Sequence, residues 1–332
     1  MKKVRWGILS TANIGTEKVI PGIQASAHSE VVAIASRDLG KAQAAAAALG
    51  IPKAYGTYEE LLADGEIDAI YNPLPNHLHV PMTVAATQAG KHVLCEKPIA
   101  LSAADAEGLR ACRPDRLVLE AFMIRFHPQW LRAREIVRSG ELGDIRAINA
   151  VFTYFNADPA NVRNQAEIGG GGILDIGCYP VTAGRFLFES EPKRVVALVE
   201  RDPEFGTDRL ASVLADFGEG RQLSFICSTQ TAGEQSVQVL GSKAKLDIII
   251  PFNAPANQRT AITIDTGAPF DGSLARREIL PACDQYTEQA EAFALAVLGE
   301  QKLPWGIDDA ILSMKVLDAI FASEKTGAWA SV

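Results

Sequence analysis

The chain has 332 residues and a mass of 35.6 kDa, a length that suggests about two domains rather than one core. Hydrophobic residues make up 48% and charged residues 22%, which excludes disorder, and no apolar run reaches the ~18 residues needed to span a bilayer. A formal net charge of −8 argues against a nucleic-acid partner, because binding a polyanion needs a basic face. The cysteines at 95, 112, 178, 227 and 283 form no C-x-x-C pair and His77-Leu78-His79 lacks H-x-x-x-H spacing, so neither a disulfide framework nor a metal site is expected. Basic Met1-Lys2-Lys3 precedes an apolar run too short for a signal peptide, so the expected location is the cytoplasm.

In chain order, Val4 to Leu9 reads as a buried strand, Ser10-Thr11-Ala12-Asn13-Ile14-Gly15 as a tight turn, and residues 16–26 as a helix. Against the dinucleotide fingerprint G-x-G-x-x-G, Ser10 and Ala12 replace the first two glycines and Gly15 survives. These small residues let the backbone of Ser10 to Ile14 approach a pyrophosphate at the helix start. A second strand over residues 31–35 and an alanine-rich helix over 40–49 follow. This strand ends in Ser36-Arg37 where a NAD-selective fold places an acid, so Arg37 is expected to meet a 2′-phosphate; the other reading has Asp38 doing the acid's work one position late.

The alternation continues with strands near 54–55, 69–71, 92–95 and 117–119 and helices between them, which implies a complete doubly wound parallel sheet. Asn72-Pro73-Leu74-Pro75-Asn76-His77 is a stiff loop after the fourth strand. After the fifth, Pro98 stops pairing, so Glu96 and Lys97 project from the carboxyl edge, where such sheets place ligands. Beyond Glu120 the pattern becomes a helix over 129–139 and strands over 145–155, 194–200, 211–217, 222–228, 236–240 and 244–250, a large, mainly antiparallel open sheet in a C-terminal α+β domain. The expected domains are 1–121 and 122–332, the second including closing helices over 288–298 and 307–325. A glycine-rich segment, residues 169–180, interrupts the strands and puts Asp175 and Tyr179 on one helical face.

Together Trp6-Gly7-Ile8-Leu9-Ser10, Pro73-Leu74-Pro75-Asn76-His77-Leu78-His79, Cys95-Glu96-Lys97-Pro98, Glu120-Ala121-Phe122-Met123 and Gly170-Gly171-Gly172-Ile173-Leu174-Asp175-Ile176-Gly177-Cys178-Tyr179 resemble the Gfo/Idh/MocA oxidoreductase family over nearly the whole chain. The resemblance implies a Rossmann domain binding NADP, with NAD the alternative, and redox chemistry at a sugar or polyol hydroxyl or keto-sugar. It implies cofactor contacts from Ser10, Thr11, Ala12, Asn13, Ile14, Ser36, Arg37, Pro73, Leu74, Asn76, His79, Glu96, Lys97 and Arg163. Substrate contacts are expected from Lys97, Arg125, Phe155, Arg163, Asp175 and Tyr179. Tyr179 stands where many members carry histidine, as in the branch containing dimeric dihydrodiol dehydrogenase, D-xylose 1-dehydrogenases and glucose-fructose oxidoreductase.

Oxidising a sugar hydroxyl needs a base for the O–H proton while hydride leaves for the nicotinamide. The expected roles are Tyr179 as acid/base, Lys97 as the ammonium that favours its phenolate, and Asp175 as the group orienting substrate hydroxyls. Two alternatives stand beside this: an enzyme with tightly held NADP that shuttles hydride between two sugars, and a non-catalytic nucleotide-sensing regulator. A homodimer or homotetramer is expected, partly from the strand over 246–250, whose apolar side chains should fall on both faces.

Overall fold

The computed structural model describes residues 2–332 and divides into two compact units, Met1–Met123 with Asp284–Ile311, and Ile124–Cys283 with Leu312–Val332. In the first unit a six-stranded sheet has the order β3-β2-β1-β4-β5-β6, built from β1 (Val4–Leu9), β2 (Ser29–Ala35), β3 (Lys53–Tyr55), β4 (Ala69–Asn72), β5 (His92–Cys95) and β6 (Val118–Glu120). Every pairing is parallel. That order reverses direction between β1 and β4, which creates the crevice where doubly wound folds bind nucleotides. The central strands read as apolar runs because both faces are covered, and Trp6, Ile8, Ile70, Val93 and Leu94 are fully buried.

The connecting helices begin where side chains can satisfy their free N–H groups. Asp38 caps α2 (Leu39–Leu49), Thr57 caps α3 (Tyr58–Ala63) and Ser102 caps α5 (Ala103–Ala106). The first helix opens as a π turn, Gly15–Val19, before α1 (Ile20–Ala25), and α4 spans His79–Gln88. The boundary expected at 121 assigned everything later to one domain, whereas Asp284–Ile311 returns to the first unit. Packing explains the return: a Cβ on Gly22 would lie 2.8 Å from the Cβ of Tyr286, and Trp6 meets Phe293 at 5.3 Å, both partners lying on α8 (Gln285–Val297).

The second unit holds α6 (Pro128–Ser139), α7 (Cys178–Phe188) and a nine-stranded sheet of β7 (Ile145–Phe155), β8 (Arg194–Arg201), β9 (Asp208–Gly218), β10 (Arg221–Ser228), β11 (Gln230–Gly241), β12 (Lys245–Ile248), β13 (Thr260–Asp265), β14 (Arg276–Leu280) and β15 (Ala330–Ser331). Its order is β14-β13-β12-β11-β7-β10-β9-β8-β15, with only the β7–β10 pair parallel. The last helix, α9, spans Ile307–Thr326. One face of the sheet is packed: Trp130 from α6, Phe152 from β7 and Phe252 stack at 4.9–6.2 Å, and the Trp130 indole donates to the Pro251 carbonyl at 2.6 Å.

β13, β14 and β15 were not expected. β14 reads RREIL with no hydrophobic alternation, and β15 has only two residues. The strand expected over 244–250 is also shorter: Leu246 and Ile248 are buried, while Ile249 and Ile250 lie beyond its end and are exposed. Its apolar residues therefore do not mark two covered faces. The uncovered apolar face lies on β7 to β10, where Leu198 is 79% and Ile226 42% exposed beside Val151, Val196 and Leu214.

Candidate active site

In the first unit, β1 delivers the chain into a left-handed residue, Ser10, with φ of 82° where the dinucleotide fingerprint has glycine. Its Oγ accepts from the Ala12 N–H at 3.0 Å and its own N–H donates to the Ala35 carbonyl at 2.8 Å, so side-chain bonding sustains a turn that glycine would otherwise make. Ser10, Thr11, Ala12, Asn13 and Ile14 stay partly open to solvent at the start of the helix. A turn backbone and helix start at the switch point of the sheet fit a dinucleotide's pyrophosphate. At the tip of β2, Ser36 is buried and Arg37 exposed, while Asp38 is occupied capping α2 through the Lys41 N–H. The acid one position late thus has a helical task, while Arg37 beside it stays exposed.

The loop after β4 and the turn after β5 are braced to each other. His79, 1% exposed, places Nδ1 2.7 Å from the Pro98 carbonyl and Nε2 2.7 Å from the Leu74 carbonyl. Burial, the larger effect, lowers its pKa to about 4 against the two carbonyls, which favour the cation. Its side chain is therefore a brace for Pro73-Leu74 and Lys97-Pro98 rather than a surface contact. Asn72 adds to the bracing by accepting the Leu74 N–H and donating to the His79 carbonyl, and Asn76 opens the short helical turn before α4. Glu96 accepts from Tyr71 Oη at 2.8 Å, and Lys97 follows it, half-buried, ahead of a cis peptide to Pro98. Tyr286 on α8 also faces this pair: burial and Glu96 raise its pKa and Lys97 opposes the rise. The Ile99 N–H donates to Glu120 at 2.8 Å, fixing the turn from the β6 side.

In the second unit, Gly171 (φ 118°) leads into a π turn, Ile173–Gly177, that continues as α7. A widened turn of this kind still leaves residues four apart on nearly the same face. Asp175 Oδ2 accepts two hydrogen bonds, from Tyr154 Oη at 2.6 Å and from Arg163 Nε at 2.9 Å. That carboxylate raises the Arg163 pKa, with Tyr154 and Tyr179 adding to the effect. Tyr179, 6% exposed, is wedged against Phe152 and Phe252 at 5.5 Å. Phe155, 71% exposed, lies next to Tyr154 at the end of β7, and Arg125 is buried at 3% exposure in a short helical turn before α6.

Two family models match this chain: "Oxidoreductase family, NAD-binding Rossmann fold" over residues 4–116 and "GFO/IDH/MocA C-terminal domain" over residues 130–247. The chain belongs to the Gfo/Idh/MocA oxidoreductase family. It is 46% identical to an uncharacterized oxidoreductase of Rhizobium meliloti, with all of both chains covered. It is 39% identical to D-xylose 1-dehydrogenase (NADP(+)) 2 of Haloferax volcanii over 97% of this chain and 98% of that one. Among solved structures it resembles a 3-ketoreductase from Actinomadura kijaniata in complex with NADP and TDP-benzene, with a TM-score of 0.90, 29% identity, and coverage of 97% and 98%.

In this Gfo/Idh/MocA oxidoreductase the sequence reading missed Tyr154, which holds Asp175, and Tyr71 and Tyr286, which flank Glu96. Tyr154 had a faint signal, since it sits two residues from Phe152 and so shares that residue's face of β7. Nothing local marked Tyr286, which stands about 190 residues after Glu96. Among the described residues no helix is long and apolar enough to cross a membrane.

Proposed function

We propose that the enzyme is an NADP-dependent oxidoreductase that exchanges a hydride with a sugar, at an aldose C1 hydroxyl or a related polyol or keto-sugar carbon. The observation that carries this reading is the Asp175 carboxylate, fixed by Tyr154 and Arg163 and set one turn before Tyr179. Such a fixed acceptor can take a hydrogen bond from a substrate hydroxyl, and the phenol beside it can exchange the hydroxyl proton. The dehydrogenase and ketoreductase relatives support the substrate class, and the NADP named for both supports the cofactor.

When bound, the nicotinamide cofactor supplies the hydride acceptor or donor. Ser10 to Ile14 would hold its pyrophosphate, Ser36 and Arg37 its 2′-phosphate, and the braced Pro73-Leu74 and Glu96-Lys97 segments its nicotinamide end. Tyr179 takes the substrate proton during oxidation and returns it during reduction. Lys97 is the ammonium assigned as a donor to the substrate oxygen. Asp175 orients the neighbouring hydroxyls, and Arg163 holds Asp175.

We place the enzyme in the cytoplasm, since five cysteines in the thiol form, four of them buried, fit a reducing compartment. We also read it as a homodimer or homotetramer built on the exposed face of β7 to β10. The function is tested by following cofactor absorbance with a panel of aldoses and polyols plus NADP or NAD, and of keto-sugars plus NADPH. Turnover with NADP or NADPH is expected. Bound cofactor with no turnover across the whole panel would overturn the reading.

A further inference from the structure

The turn that presents Asp175 and Tyr179 rests on a buried acid that the chemistry above does not use. Asp208, the first residue of β9, is 2% exposed, and its Oδ2 accepts the Ile173 N–H at 2.5 Å. Its Oδ1 fills a notch that only glycine leaves open: a Cβ on Gly171 would fall 2.1 Å from it, and Gly171 has φ of 118°. The Asp208 carbonyl lies 3.3 Å from where a Gly172 Cβ would stand. One side chain therefore fixes both the glycine approach and the first N–H of the π turn.

We propose that Asp208 is a positioning residue for the active site, whose buried carboxyl group locks the start of the Ile173–Gly177 turn and so sets where Asp175 and Tyr179 point. The proposal rests on the roles given to those two residues under the proposed function.

The surroundings make this lock sensitive to pH. Burial pushes the Asp208 pKa up to about 7, opposed by the Ile173 N–H and by Arg201 on β8, and reinforced by Glu324 on α9. Arg201 is itself paired with Glu324 at 2.6 Å, so its charge is shared. From β10 the Cys227 thiol faces the same pocket; burial and then Asp208 push its pKa up, so it stays a neutral neighbour. The adjacent Arg209 is directed to Glu200 at 3.1 Å. Below neutrality the carboxyl is buried without charge and the turn stays closed; above it ionisation favours opening, which returns Asp208 to water and its ordinary acidity.

The test uses the full-length protein with bound NADP and two variants, Asp208→Asn and Asp208→Ala. Asn keeps the acceptor and the shape but cannot ionise. Hydrogen exchange over residues 171–180, corrected for intrinsic rates, is followed from pH 5.5 to 8.5, alongside kcat for the best sugar. In the parent, protection of this segment is expected to fall severalfold as pH rises through neutrality. Asp208→Asn should flatten the protection profile and keep at least about a third of the parent's kcat. Asp208→Ala should lose protection at every pH and at least about tenfold in kcat, with KM for NADP unchanged. A parent profile with no such fall, or an Asp208→Asn profile that keeps it, would overturn the proposal even if Asp208→Ala fails to fold. The exchange readout needs no substrate. If it behaves as expected while Asp175 and Tyr179 variants retain full activity, the functional reading fails and the positioning role stands.

Discussion

Replacing Arg37 with alanine tests the cofactor half of the site on its own. A 2′-phosphate carries about −1.5 to −2 charge at neutral pH. At ~4 Å from a guanidinium, each unit of charge is worth about 1 kcal/mol in bulk water and about 4 kcal/mol near a partly shielded surface. Arg37 is exposed at the tip of β2, so the lower end applies, about 2 kcal/mol in all, or roughly thirtyfold in affinity. Direct titration of NADPH and NADH, read by nicotinamide fluorescence, should show that loss for NADPH in Arg37→Ala and almost none for NADH. Arg37 also lies beside Tyr58, whose pKa it lowers against the rise that burial imposes. Tyr58→Phe is therefore the control, and it should bind both cofactors normally. Equal losses for NADPH and NADH in Arg37→Ala would refute the assignment.

Tyr154→Phe removes one of the two hydrogen bonds held by Asp175 Oδ2 and should cost about tenfold in kcat/KM for the sugar, leaving KM for NADP unchanged, as steady-state kinetics will show. Tyr179→Phe and Lys97→Met should each cost about 10²–10⁴ in kcat, with the double variant hardly worse than either, whereas additive losses would mean that the two groups act separately. In light scattering the parent should behave as a dimer or tetramer, and Leu198→Asp with Ile226→Asp on the open sheet face as a particle of about one chain. Asp208, with its pKa raised in the fold, keeps its proton where the unfolded chain has lost it, so its contribution to stability falls as pH rises from about 4 to about 7. The melting temperature of Asp208→Asn should accordingly gain on that of the parent across this window.

The first unit was largely legible because parallel strands buried on both faces leave apolar runs, and because Asp38, Thr57 and Ser102 announce their helices as N-caps. The placement of Lys97 just past the end of β5 and of Asp175 and Tyr179 along one helical segment was also legible, since proline stops a strand and helical spacing groups side chains. What was not legible comes from distant pairing. Tyr154 reaches Asp175 from β7 and Asp208 reaches Ile173 from β9, and no local pattern records either bond. The return of Asp284–Ile311 to the first unit depends on the close approach of Gly22 to Tyr286, which sequence shows only as one glycine among many. The π turns were read as ordinary helix, because their apolar spacing over five residues does not distinguish the two.

Hydride exchange between a sugar carbon and NADP can be tested by following the atom itself. An aldose deuterated at C1 is incubated with the enzyme and NADP, and the reduced cofactor is analysed by mass spectrometry. NADPH should carry one deuterium from the sugar, formed at a rate that falls about 10²–10⁴-fold in Tyr179→Phe. Reduced cofactor without deuterium, or deuterium transfer that is unchanged in Tyr179→Phe, would contradict it.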